Sequence, residues 1–209
     1  MKYIDLHCDT ITELALRPER GNLAKNNCEI DISKLQKGQC FIQDFAIWYD
    51  QKNEEAPWDY FQKLLAVYQR EIAANDCMHP ILKASDIDLC EKNEKIGAML
   101  SIEGGEVIGG SLEKLQEAYD AGVRLMTLTW NYANELAFPN GMEGPDKGIT
   151  PVGWEVIEAM NRMGMIVDTS HLNDVGTEEI LKSHALPPVA SHSDARAITG
   201  HQRNLTDPL

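Results

Sequence analysis

The chain has 209 residues, of which 43% are hydrophobic and 25% charged. That is the make-up of an ordinary globular protein, and it excludes a disordered, collagen-like or coiled-coil chain. Acidic residues number 33 against 19 basic ones, for a net charge of −14. So negative a body repels phosphate backbones and anionic lipid, so neither nucleic acid nor a membrane is an expected partner.

No stretch approaches the roughly 20 consecutive apolar residues of a membrane span. The opening residues M-K-Y-I-D-L-H-C-D-T lack the apolar core of a secretory signal. The five cysteines, Cys8, Cys28, Cys40, Cys77 and Cys90, are odd in number and contain no C-x-x-C pair. They read as small buried hydrophobes rather than a disulfide framework or a thiolate zinc site, and a cytoplasmic location is expected.

No repeat, low-complexity tract or flexible linker interrupts the chain, so a single domain over 1–209 is the simplest organisation. Short apolar runs predict strands at 3–7, 40–48, 96–102, 123–129, 165–169 and 188–192. After the second of these, Phe61, Leu64, Leu65, Tyr68 and Ile72 recur at helical spacing. Leu112, Leu115 and Tyr119 repeat the pattern, with Ser111 placed as N-cap and Gly122 where the chain leaves the helix. Val152, Val156, Ala159, Met160 and Met163 do so again, behind Thr150 as cap and Pro151 at the first helical position, with Gly164 as the stop. A shorter helix is expected over about 174–183.

Strands alternating with helices predict a parallel sheet covered by helices, either doubly wound or a (β/α)8 barrel. The choice rests on where the polar residues fall. His7 and Asp9, Glu103, His171 and His192 follow or close four different predicted strands. Polar groups converging from several strand ends are the pattern of a TIM barrel, whereas an open sheet concentrates its site at one crevice. The expected fold is therefore a (β/α)8 TIM barrel with about six of its eight βα units present. The chain then reads as C-terminally truncated, and an uncovered sheet edge would favour a homo-oligomer.

Each candidate has a plainer reading. His7 and Asp9, two apart on a strand, would face one way and could grip one ion; alternatively His7 is a core histidine and Asp9 the cap of the next helix. Glu103 ends an apolar run before Gly104-Gly105, where a carboxylate is costly unless it is paired or metal-bound. His171 and His192 each close an apolar run, whereas His79, His184 and His201 lie in polar contexts and read as surface residues. Three imidazoles and two carboxylates without a thiolate suit catalytic zinc or an equivalent divalent ion. Five ligands suit two ions bridged by one carboxylate, and the chemistry implied is hydrolysis.

The segments D-L-H-C-D-T at 5–10, S-I-E-G-G at 101–105, L-T-W-N at 128–131, S-H-L at 170–172, S-H-S at 191–193 and R-N at 203–204 occur in this order. Together they resemble the membrane (renal) dipeptidase family of amidohydrolase-like metal-dependent barrels. The resemblance implies two zinc ions: His7 and Asp9 on one, His171 and His192 on the other, and Glu103 bridging both. It implies that Arg203 receives the C-terminal carboxylate of the substrate, for which a guanidinium fork is suited. It also implies hydrolysis of small dipeptides, with tolerance for a D-residue at the C-terminal position.

Two departures stand out. Where family members carry a histidine near the substrate carbonyl, this chain has Trp130, whose indole cannot shuttle a proton. That role passes to Asn131 or Asn134, or lapses. The family's proton-handling aspartate has no counterpart here, and Asp194 is not promoted to it. The alternative function is accordingly a metal-binding chain with impaired or no turnover.

Overall fold

The computed structural model describes residues 2–141, 146–183 and 186–209. They form two compact units, one of Met1–Trp48 with Trp58–Ser101 and one of Tyr49–Pro57 with Ile102–Leu209.

The first unit opens with β1 (Tyr3–Asp5), α1 (Thr10–Leu16), α2 (Ile32–Gly38) and β2 (Cys40–Trp48). α2 starts on Asp31, whose carboxylate accepts the Lys34 N–H at 2.8 Å, as an N-cap should. β1 and β2 pair in parallel, with Ile4 opposite Ile42 and Asp5 opposite Gln43, and α1 packs on β2. α3 (Pro57–Ala73) buries the expected stripe through Phe61, Leu64, Tyr68 and Ile72. The Tyr68 ring lies 6.1 Å from that of Phe45 on β2, and its hydroxyl donates to the Ala98 carbonyl at 3.1 Å. Each such buried side chain contributes about 1.5–3 kcal/mol, so the stripe, more than helix propensity, fixes α3 to the strands.

β3 (Met78–Pro80), α4 (Ala84–Lys92) and β4 (Ile96–Glu103) follow. Every residue of β4 is buried, the mark of a parallel strand covered on both faces. β3 pairs with it in parallel, Met78 opposite Ile96 and Pro80 opposite Ala98. The sequence gives no sign of β3, because it is three residues long, polar at His79 and without an N–H at Pro80. Its ladder is closed from the flanks, by Ile96 N–H to Cys77 O and Ile81 N–H to Ala98 O, each 2.8 Å. His79, read from the sequence as a surface residue, is thus a half-buried strand residue.

In the second unit Ile102 and Glu103 lead into a 3-10 turn, Gly105–Val107, and then α5 (Leu112–Asp120), β5 (Val123–Thr127), α6 (Pro151–Met163), β6 (Ile166–Asp168) and α7 (Asp174–Lys182). The expected caps are in place. The Ser111 hydroxyl accepts the Lys114 N–H at 3.3 Å and the Thr150 hydroxyl the Gly153 N–H at 2.9 Å, while Gly164 ends α6 at φ +75°. α7 begins on Asn173, which accepts the Gly176 N–H at 2.8 Å. β5 and β6 pair in parallel from Leu125–Ile166 to Thr127–Asp168. Leu115, Ala118, Leu125, Val156, Met160 and Val167 are buried in this unit.

Six strands are present among the described residues, five of them where expected, with β3 unexpected and the run at 188–192 not forming a strand. The run at 188–192 makes only one bridge, Val189 to Asp168, since Pro187 and Pro188 supply no N–H to a ladder. The runs at 3–7, 123–129 and 165–169 leave the ladder early, at Asp5, Thr127 and Asp168. The residues beyond those ends are free to turn, and there the polar candidates sit. His184 lies outside the described residues. All five cysteines are free, as expected, and among the described residues no helix is long and apolar enough to cross a membrane.

Candidate metal centre

Three of the expected ligands meet in the second unit. Glu103 Oε1 stands 3.1 Å from His171 Nε2 and 3.3 Å from His192 Nε2, and the two Nε2 atoms are 3.0 Å apart. Ligand atoms about 2.0–2.1 Å from a tetrahedral zinc stand roughly 3.3 Å from one another, so the triangle has the size that one ion imposes.

Proton bookkeeping makes the same point. His171 Nδ1 lies 3.0 Å from Asn131 Oδ1, an acceptor, so Nδ1 carries the hydrogen and Nε2 a bare lone pair. Ser191 gives its own hydroxyl hydrogen to Asp168 Oδ2 at 2.5 Å. It therefore accepts from His192 Nδ1 at 2.7 Å, and His192 Nε2 is bare as well. Burial holds His171 below the ordinary imidazole range, against the pull of Glu103 and with a further push from Arg203, so the ring is neutral at pH 7. Two lone pairs and a carboxylate oxygen thus face one point with no hydrogen among them. A divalent cation fits this donor set.

The local backbone explains how they meet. Glu103 is the last residue of β4, and its carbonyl accepts the Tyr49 N–H at 3.3 Å. Gly105 donates to Leu128 O at 3.2 Å, and a Cβ there would stand 2.6 Å from that oxygen and 2.4 Å from Leu136 Cδ1, so the approach requires glycine. His171 sits at φ +66°, a left-handed conformation that costs a non-glycine residue about 1–3 kcal/mol. Asn140 clamps it there, donating to the His171 carbonyl from its backbone N at 2.7 Å and its side chain at 3.0 Å.

Asp168 ties the two histidine turns together. It is fully buried at the end of β6; Oδ1 accepts the N–H groups of Ser170 and Ser191, each at 3.0 Å. Oδ2 accepts the Thr127 hydroxyl at 2.7 Å as well as that of Ser191. Sequence reasoning passes over Asp168, although a carboxylate inside the run Met165-Ile166-Val167 is itself the signal.

His7 and Asp9 belong to the first unit, on the turn between β1 and α1. The strand alternation expected for them does not apply, because β1 ends at Asp5, whose carboxylate accepts the His7 N–H at 3.2 Å. They still face each other, with His7 Nε2 3.6 Å from Asp9 Oδ1. Asp9 stands at the N-cap of α1 but makes no side-chain capping bond, so its carboxylate is not spent on the helix. Both line a cavity of about 340 Å³ with Asp5, Thr10 and Glu13.

The remaining candidates lie in the second unit. Arg203 is partly buried, and its guanidinium donates to Ser193 Oγ at 2.6 Å, next in sequence to His192. Among the described residues no carboxylate forms an ion pair with it, whereas Arg196 is held bidentately by Asp174 at 2.6 and 2.7 Å. The two arginines are thereby distinguished: one is structural and the other has a fork to offer. The Trp130 ring lies 6.2 Å from that of His171 and edge-on to Tyr132 at 5.7 Å. Asn131 orients His171. His201, read as a surface residue, is exposed, and its Nδ1 accepts the Arg203 N–H at 3.1 Å.

Glu106 is a further buried acid that the sequence leaves unremarked. Burial pushes its carboxyl up from 4.5 to about 7, with Glu135 and Glu103 adding to the rise and an Asn134 hydrogen bond opposing it. A raised carboxyl binds its proton more tightly in the folded state. Its contribution is therefore fully favourable below about 4.5 and is lost as pH rises through about 7. Glu106→Gln should remove that loss. In urea unfolding, the variant should gain on the wild type between pH 4.5 and 8, by roughly 3 kcal/mol at most. A difference that stays constant across that window would contradict it.

The fold matches that of TIM-barrel-like metallopeptidases. A metallopeptidase of Rhodobacter sphaeroides, solved with a phosphinate mimic of the dipeptide L-Ala-D-Ala, superimposes with a TM-score of 0.85 at 23% identity, over 100% of this chain and 69% of that one. An uncharacterized dipeptidase of Schizosaccharomyces pombe is 30% identical over 199 residues, covering 86% of this chain and 47% of that protein. Dipeptidase aclJ of Aspergillus oryzae is 30% identical over 192 residues, 87% of this chain and 46% of the other. The chain thus spans about half the length of these curated relatives. The family model described as Membrane dipeptidase (Peptidase family M19) matches residues 1–209, and the chain belongs to that family.

Proposed function

We propose that this chain supplies the metal centre of a zinc-dependent dipeptidase, in which Glu103, His171 and His192 would hold one zinc ion and His7 and Asp9 would hold a second. The observation that carries the reading is the triangle of Glu103 Oε1, His171 Nε2 and His192 Nε2, three electron-rich atoms 3.0–3.3 Å apart. Family membership supports the second pair, and the Asp9 carboxylate, which makes no capping bond to α1, is available for it.

When bound, the ions supply Lewis acidity toward a scissile carbonyl and acidify the attacking water. The protein's own groups do the rest. Asn131 and Ser191 keep the imidazole hydrogens on Nδ1, so both Nε2 atoms stay available. Arg203 takes the C-terminal carboxylate of a dipeptide in its fork and fixes the far end of the substrate relative to the centre. Trp130 offers an apolar wall beside His171. Tolerance for a C-terminal D-residue is part of the proposal, supported by the L-Ala-D-Ala mimic held by the Rhodobacter sphaeroides structure.

The test is metal content by emission spectroscopy after zinc-supplemented growth, followed by turnover of Ala-Ala and Ala-D-Ala. Close to two zinc per chain with hydrolysis of these dipeptides is expected. Zinc without hydrolysis would establish the alternative of a metal-binding chain with no turnover. Well under one equivalent of zinc would reject both.

A further inference from the structure

The mechanism leaves Glu106 without a task, and its surroundings are unusual. It stands in the 3-10 turn after β4, 9% exposed, with Oε1 buried and without a hydrogen-bond partner. A carboxylate so placed opposes folding. A group that breaks a local rule at its own cost marks a place where geometry is being fixed.

What Glu106 fixes is Asn134. Its Oε2 accepts from Asn134 Nδ2 at 2.8 Å, and the same nitrogen donates to Leu128 O at 2.9 Å. Asn134 Oδ1 accepts the N–H groups of Leu136 and Ala137, at 2.9 and 3.2 Å. One amide therefore joins the exit of β5 to residues eight and nine positions later, and every hydrogen-bonding site on it is filled. The loop closed in this way carries Trp130 and Asn131, the residues that reach His171. The two glycines after Glu103 make room for the device. A Cβ at Gly104 would stand 2.8 Å from Glu106 Oε1, and one at Gly105 would strike Leu128 and Leu136.

Resting on the metal-centre reading above, we propose that Glu106 is a positioning residue: through Asn134 it sets the loop that presents Asn131 to His171, and so holds the His171 hydrogen on Nδ1 and leaves Nε2 as a ligand. Because the carboxylate acts by accepting from Asn134, a side chain that keeps an acceptor should keep the effect. One that only fills the space should stabilise the fold and lose it.

The test uses the whole chain with Glu106→Met, Glu106→Gln, Asn131→Ala and the Met/Ala double variant. In metal-free protein, long-range proton–nitrogen spectra of the histidine rings should show His171 as the Nδ1–H tautomer in wild type and Glu106→Gln, and a mixture of tautomers in Glu106→Met. Zinc affinity by chelator competition should fall about 10–100-fold in Glu106→Met and in Asn131→Ala, the range typical of partners that orient a ligand. The double variant should lose no more than the larger single loss, while thermal unfolding of Glu106→Met is unchanged or raised. An unaltered His171 tautomer in Glu106→Met, or affinity losses that multiply in the double variant, would overturn the proposal. If Glu106→Met does not fold, Glu106→Ala takes its place with the same expectations. Wild type that takes up no zinc would sink the metal centre instead, and the tautomer spectra would still decide the part played by Glu106.

Discussion

Asp168→Ala is expected to lower the unfolding free energy by about 3–5 kcal/mol and to weaken zinc binding with it. The carboxylate is completely buried and accepts four hydrogen bonds, from the backbone of Ser170 and Ser191 and the hydroxyls of Thr127 and Ser191. Alanine leaves two backbone N–H groups and two hydroxyls facing a gap. An orphaned buried donor costs roughly 1–3 kcal/mol, and groups sharing one acceptor do not add fully. The effect on the metal follows from position. Ser170 precedes His171 and Ser191 precedes His192, so the two turns lose their common anchor together. Asp168→Asn keeps the size and one oxygen but turns an N–H toward donors, so it should fall between wild type and alanine. Urea unfolding and chelator competition measure both consequences. An Asp168→Ala chain within about 1 kcal/mol of wild type would show that the turns are held by something else.

The parts of this protein that were legible in its sequence are those whose cause is local. β4 announces itself as an apolar run interrupted only by Ser101 before Glu103, and β2 as one interrupted at Gln43-Asp44, because a parallel strand is buried on both faces. α6 is bracketed by Thr150, Pro151 and Gly164, whose effects act within a turn of the helix. Glu103, His171 and His192 stand out because a polar residue closing an apolar run has few bland explanations. What was hidden depends on distant partners. β3 exists because β4 offers it a ladder, and nothing in Met78-His79-Pro80 says so. Asn140 holds His171 in its left-handed conformation from 31 residues away. Arg203 and Arg196 look alike as letters, and only the fold shows that Asp174 occupies one of them. His7 and Asp9 are a useful case: they do face each other, but on a turn and not through the strand alternation that argued for them.

The largest effect on function is expected from Glu103→Gln, and its sign should reverse with zinc. In metal-free protein Glu103 Oε1 faces two nitrogen lone pairs at 3.1 and 3.3 Å, in a site where Glu103 itself is 3% exposed. Like polarity at that distance in a poorly solvated site is unfavourable. Glutamine removes the charge and can place an N–H toward one Nε2, converting a repulsion into a hydrogen bond, so the metal-free variant should be more stable than wild type, by about 1 kcal/mol. With zinc the balance turns over. A ligand that binds only the folded state stabilises it by RT ln(1 + [L]/Kd), about 4 kcal/mol at a thousandfold excess over Kd. Wild type should show that gain. A neutral amide in place of the anionic ligand should weaken binding by more than the roughly 100-fold that an orienting partner is worth, which removes most of it. Thermal unfolding in chelator and in zinc therefore gives a crossed pattern, with the variant above wild type in the first and below it in the second. The reversal separates a ligand from a merely structural acid, because losing a structural acid shifts both curves the same way. Parallel shifts in chelator and in zinc would remove Glu103 from the metal, and the triangle it forms with His171 and His192 would then need another cause.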